Sequence, residues 1–174
     1  MINLEELTKC FINHARTLRS ATFVCSAPTA LEGWFRAELV PTLEDIGIGQ
    51  DSVSSRFIYP GTRDEQADLL VRLIEGLVVF EIMCFVNKKD RKKIERFPTQ
   101  LNRLESVVQG QIVEQAIAFL TFNGYSEQRQ NNLIHDFFDG RNWQVIGPLP
   151  IISGLPLTLV IAGFNKRAHT SDFG

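Results

Sequence analysis

Two acids stand out by their setting. Asp68 and Glu81 fall within two β-rich, mostly apolar runs, residues 67–74 and 77–85, separated by Glu75-Gly76. That pair can supply a tight turn, so the stretch reads as an antiparallel hairpin. A two-residue turn there sets Ile74 opposite Leu77, Leu70 opposite Glu81 and Asp68 opposite Met83. Opposed residues share a face of a sheet. Asp68, Glu81 and Met83 then lie on one side, with the carboxylates a diagonal step apart and close enough to share a divalent cation. Burying two acids among apolar residues is costly, and a hard cation held by carboxylate and carbonyl oxygens is one compensation. An ordinary structural role competes evenly with it: Asp68 begins its strand at a solvated end, and Glu81 pairs with Arg72 or Arg56.

A third acid, Glu38, sits beside the apolar stripe formed by Leu31, Trp34, Phe35 and Leu39. It either meets a cation at the hairpin or pairs with Arg19 or Arg36, while Glu32 points elsewhere on the same helix. Directly after the hairpin comes a basic block, Lys88, Lys89, Asp90, Arg91, Lys92 and Lys93. Such a patch can hold phosphates even on an acidic protein, although taken alone a solvated loop is the readier explanation.

These residues need a frame, and the hydropathy pattern supplies one. Residues 3–19 carry Leu4, Leu7, Phe11, Ala15 and Leu18 at helical spacing behind Asn3, a suitable cap. His14 lies beside that face and reads as a hydrogen-bonded boundary residue. A short apolar piece at 21–25 leads to Ser26 and Pro28, which open a second helix over 28–45, with Pro41 expected to kink or break it near Val40. Residues 52–59 alternate as a half-exposed strand closed by Pro60-Gly61, so the hairpin completes a three-stranded meander. A third helix is expected over 99–115, weakened at Gly110, then a buried strand at 116–122 and a serine-capped helix at 126–138. His135 and Asp136 are adjacent, so they do not face one another on that helix. Strands at 144–151 and 157–164 follow, with a tail expected to fray.

At 174 residues the chain suits one domain able to bury a core without staples. Its 44% hydrophobic and 22% charged content is that of a soluble fold, and no run reaches the length of a membrane span. The acidic, amphipathic N-terminus lacks the marks of a secretion signal, which points to a cytoplasmic location. Cys10, Cys25 and Cys84 lack CxxC spacing and clustered histidines, so they read as reduced core residues. A net charge of -2 argues against a general nucleic-acid binder, although not against a local patch. Glycine-rich phosphate loops, Ser/His/Asp arrangements and zinc-type histidine motifs are missing.

An acid on an early helix, then a strand, then Asp-x12-Glu on a hairpin, then a helix and a strand together resemble the PD-(D/E)XK nuclease superfamily, the restriction-endonuclease-like fold. The likeness covers residues 28–122 in the order αβββαβ. It is carried by Glu32-Gly33-Trp34-Phe35-Arg36-Ala37-Glu38-Leu39-Val40, then Tyr59-Pro60, then Ala67-Asp68-Leu69-Leu70-Val71. The resemblance implies an α/β (α+β) domain with a mixed sheet flanked by helices, plus an extra N-terminal helix and a C-terminal helix with strands. It further implies Mg2+, or Mn2+ in its place, held by Asp68, Glu81 and Glu38 with a backbone carbonyl near Ile82, and cleavage of DNA phosphodiester bonds. Lys88, Lys89, Arg91, Lys92 and Lys93 would contact the nucleic acid. The motif departs from the family at Met83, which stands where a lysine is expected. Methionine offers neither positive charge nor a strong donor, so either Lys88 or Lys89 replaces it or the site is degenerate. In the degenerate case the fold serves as a binding or assembly subunit for a protein or nucleic acid, and a homodimer is compatible with either reading.

Overall fold

The computed structural model describes residues 1–18, 20, 30–55, 57–63, 65–86 and 90–166. Four α-helices and six strands occupy them: α1 (Leu4–Thr17), α2 (Leu31–Asp45), β1 (Val53–Ser54), β2 (Leu69–Leu73), β3 (Gly76–Val86), α3 (Arg91–Gln109), β4 (Gln115–Asn123), α4 (Glu127–Phe138), β5 (Gln144–Pro150) and β6 (Leu157–Asn165). The strands form one mixed sheet in the order β1-β2-β3-β4-β6-β5. β3 and β4 run parallel through the α3 crossover and every other pair is antiparallel. From α2 to β4 the order is therefore αβββαβ, with α1 added before it and α4, β5 and β6 after. The expected 21–25 segment, the Ser26 and Pro28 start of the second helix, Cys25 and the C-terminal tail lie outside the described residues.

Helices cover both faces of the sheet, and strand alternation divides the core between them. Phe11, Phe35 and Leu39 of α1 and α2 pack on Val71, Phe80, Ile82, Phe119 and Ile161. Phe97, Leu101, Phe137 and Phe138 of α3 and α4 pack on Val79, Phe85, Leu120, Phe122 and Val160. β4 is buried along its whole length, as a parallel strand covered on both faces must be. At the sheet's margins stand β1, two residues long, and β5, which contains Pro148 and Pro150. No helix among the described residues is long and apolar enough to cross a membrane.

The cap of α1 is built as its sequence suggests. Asn3 Oδ1 accepts from the backbone N–H groups of Glu5 at 3.0 Å and Glu6 at 3.3 Å. Asn3→Ala leaves both donors to water, so a loss of about 1 kcal/mol in unfolding free energy is expected by denaturant titration.

Several details differ from expectation. The hairpin turns at Ile74-Glu75, so Leu73 pairs with Gly76 and Leu69 with Phe80, two residues out of the anticipated register. Gly76 opens β3 at φ 140°, where a Cβ would lie 2.4 Å from Glu114 Cγ, and only glycine suits that position. A shift of two preserves every side chain's face. The first strand is shorter than 52–59 because the chain leaves the ladder after Ser54; Phe57 and Tyr59 turn into the core, and only an isolated bridge joins Ile58 to Gln66. α3 starts at Arg91 and runs through Pro98, because Ile94, Phe97, Leu101 and Leu104 continue one apolar stripe across the proline. It stops at Gly110 instead of running to 115. α2 likewise continues through Pro41 without a break, with Leu39, Thr42 and Leu43 all buried around it. Tertiary packing outweighs the one backbone hydrogen bond each proline removes.

Candidate functional site

β2 pairs with β3 only as far as Phe80, yet β3 continues to Val86. Along a strand, residues two apart turn their N–H and C=O groups to the same side, so Phe80, Ile82, Cys84 and Val86 present polar groups along an edge that β2 does not reach. Side chains and neighbouring backbone take up that edge. Phe80 O accepts from Asp68 N at 3.1 Å, and Ile82 N donates to Asp68 Oδ2 at 2.7 Å. Cys84 O accepts from Lys93 Nζ at 3.3 Å, and Val86 N donates to Asp90 Oδ2. The divergence of β2 from β3 thus creates a notch, and the chemistry-bearing residues collect in it.

Asp68 precedes β2, and the observed register carries it opposite Glu81, closer than the diagonal expected. Arg36 of α2 donates to Asp68 Oδ1, and the Tyr59 hydroxyl donates to Glu81 Oε1. Glu81 is 7% exposed. Burial pushes its carboxyl up to about 8; the Tyr59 hydrogen bond opposes this, while the charge of Asp68, a hydrogen bond with Asp68 and the charge of Glu32 all add to it. Burial, with Glu81 next to it, also holds the Tyr59 hydroxyl protonated far above its ordinary range. Lys93 Nζ, 3.1 Å from Glu32 Oε2, brings a cation to the same notch from the first turn of α3.

The third acid is therefore Glu32 and not Glu38. Glu38 lies on the other border of the α2 stripe, where its Oε2 meets His14 Nε2 of α1 at 3.0 Å, away from the hairpin acids. His14 is the hydrogen-bonded boundary residue its sequence suggested. Met83 shares the Glu81 face and packs into the core. In the basic block, Lys88 and Lys89 lie outside the described residues. Arg91 and Lys92 are exposed on the first turn of α3, Arg91 paired with Glu95 at 2.8 Å, while Lys93 turns inward. Neither Arg56 nor Arg19 belongs to the described residues, and Arg72 shares the Glu81 face but stands at the other end of β2, opposite Leu77. His135 sits on the surface, 3.9 Å from Asp139. Cys84 is a free thiol raised by burial to about 12, so it is inert, and Cys10 is also free.

Sequence reasoning missed Tyr59, Glu32 and the inward role of Lys93. The available signals were an alternating tyrosine before Pro60 and the i,i+4 pair Glu32 and Arg36, which marks a second polar border on α2.

Asp68 and Glu81 fit Mg2+ in donor chemistry, because that ion is commonly held by one or two carboxylates with water and phosphate completing its shell. Burial first, and the nearby charge of Asp68 second, favour a proton on Glu81, and a bound cation would take that proton's place. Among the described residues, no group of three His, Cys, Asp or Glu side chains is placed to hold a metal ion, and Glu38, the expected third carboxylate, is paired with His14. No family model matches the chain, and no curated protein does. Among solved structures, the crystal structure of SSO0001 is similar over 82% of this chain and 80% of its own, at 15% identity and a TM-score of 0.26, too slight a likeness to carry an argument.

Proposed function

We propose that this chain is a nuclease-like protein of the PD-(D/E)XK type that cleaves DNA phosphodiester bonds in the cytoplasm with Mg2+, or Mn2+, held by Asp68 and Glu81. The observation that carries the reading is that Asp68, beside Glu81, takes Ile82 N while Lys93, paired with Glu32, takes Cys84 O two residues further along the same open edge of β3, within an αβββαβ order. The bound ion would polarise the scissile phosphate and make a bound water more acidic. Lys93 supplies, from a helix, the positive charge that Met83 lacks on the strand, and Glu32 orients its ammonium. Tyr59 fixes the Glu81 carboxyl, and Arg36 fixes that of Asp68. Arg91 and Lys92, exposed on the first turn of α3, would meet the DNA backbone.

A second reading, an inactive nuclease fold serving as a binding or assembly subunit or as a homodimer, has its own support. Each hairpin acid is already satisfied by a protein donor, and Asp68 and Lys93 also cap an otherwise unpaired strand edge.

Thermal melting with added Mg2+ or Mn2+ separates the two. The nuclease reading expects the ion to raise the melting temperature of the wild type and not that of Asp68→Ala. It also expects cleavage of plasmid or single-stranded DNA that falls on the order of 100-fold in Lys93→Ala. No ion-dependent shift and no cleavage, with Met83→Lys equally silent, would leave the binding subunit.

A further inference from the structure

The first turns of α3 and α4 face each other beyond the C-terminal ends of the parallel strands β3 and β4, and a cleft of about 680 Å³ opens between them. Open α/β sheets tend to receive ligands at this end of their parallel strands, and the volume falls within the range of small-ligand sites. Arg91 and Ile94 line one wall, and Tyr125 and Arg129 line the other. We propose that this cleft binds one unstacked nucleotide of a single-stranded nucleic acid, with Arg91 and Arg129 on its phosphates and the Tyr125 ring against its base.

Three features carry the assignment. Two guanidinium groups in one cleft match the geometry and charge of phosphate oxygens. Glu95, which also lines the cleft, pairs with Arg91 across one helical turn at 2.8 Å, with Arg91 88% exposed in that pair. An i,i+4 pair this exposed to water is weak, so a phosphate competes with it easily. The Tyr125 ring is held in place, edge against Phe122 with centroids 5.6 Å apart, and its hydroxyl is hydrogen-bonded to Asp90. A fixed, half-buried aromatic ring is a ready stacking surface, and stacking accepts any base. Asp90 also accepts from Val86 N, so the cleft adjoins the notch that holds Lys93. A duplex keeps its bases stacked on one another and cannot present one to Tyr125, which is why the ligand is a single strand.

The assignment stands apart from catalysis and is tested with chelator present, so that neither a failed cleavage assay nor a missing metal site bears on it. Fluorescence anisotropy would follow a labelled short oligothymidylate, the matching duplex as a second probe, and unlabelled thymidine monophosphate as competitor. The single strand is expected to bind more tightly than the duplex and than the mononucleotide. Tyr125→Ala is expected to weaken it about tenfold, and Tyr125→Phe, which keeps the ring but loses the hydroxyl, to bind like the wild type. Arg91→Ala combined with Arg129→Ala, both exposed and so tolerated by the fold, is expected to weaken binding at least about tenfold and to reduce its salt dependence. Wild-type affinity in the double arginine variant would overturn the proposal. So would equal loss in the phenylalanine and alanine variants of Tyr125, equal affinity for duplex, equal potency of the mononucleotide, or no binding by the wild type.

Discussion

Between about pH 5 and pH 8 in the presence of a chelator, the wild-type protein is expected to lose stability steadily, and Glu81→Gln is expected to flatten most of that slope. The Glu81 carboxyl titrates near 4.5 in its ordinary state and at about 8 in the folded protein, where burial dominates and Asp68 reinforces it. Below 4.5 both the folded and the unfolded chain carry the proton, so the group contributes no pH dependence. Between the two values the folded chain keeps a proton that unfolding releases, so each pH unit favours the unfolded state by about 1.4 kcal/mol. Above 8 both states are ionised and the penalty stays constant. Glutamine keeps the shape, accepts from Tyr59 and donates to Asp68 without a charge to desolvate. The check is a series of urea midpoints against pH for both proteins. Parallel curves would mean that Glu81 folds as an ordinary ionised acid, and the argument for a cation at the notch would fall with it.

Phe119→Ala should cost about 3–5 kcal/mol in unfolding free energy. Phe119 is 1% exposed at the centre of β4, between Ile82 of β3 and Ile161 of β6. Its ring meets Phe11 edge-on with centroids 5.6 Å apart and Phe80 at 6.2 Å, so one side chain joins α1 to the two central strands. Its neighbours are anchored on backbone elements and cannot collapse into the space, which keeps the cost near the top of the range for such truncations. Chemical denaturation of the variant reads the loss directly, and a change under 1.5 kcal/mol would mean that the aromatic cluster repacks.

The elements were legible because each has a clear period and a stop. The serine cap at 126, the apolar run before Asn123-Gly124 and the amphipathic start of the chain all became elements within two or three residues of their expected bounds. Pro41 does not break α2, and α3 starts eight residues before its expected bound at 99 because the stripe through Ile94, Phe97 and Leu101 packs as one across Pro98. The hairpin's face was readable but its register was not, since alternation fixes parity and the turn fixes the rest. Gly76 serves as the first strand residue instead of the second turn residue, which draws Asp68 directly across from Glu81. The choice between Glu38 and Glu32 was beyond sequence. An apolar helical stripe has two polar borders, and nothing local tells which one faces the sheet's notch and which faces α1. Lys93 was hidden similarly, since a run of like charges gives no hint that a single member turns inward to a strand carbonyl.

The two margins of the sheet govern how another chain can approach it. Two of the seven residues of β5 are prolines and have no amide hydrogen to offer, and β1 presents only two residues. Both rims are therefore poor templates for an added strand, which disfavours β-augmentation by a partner peptide, a second copy or a growing fibril there. Self-association through helix surfaces or loops would leave the ends of the strands clear for whatever enters between α3 and α4.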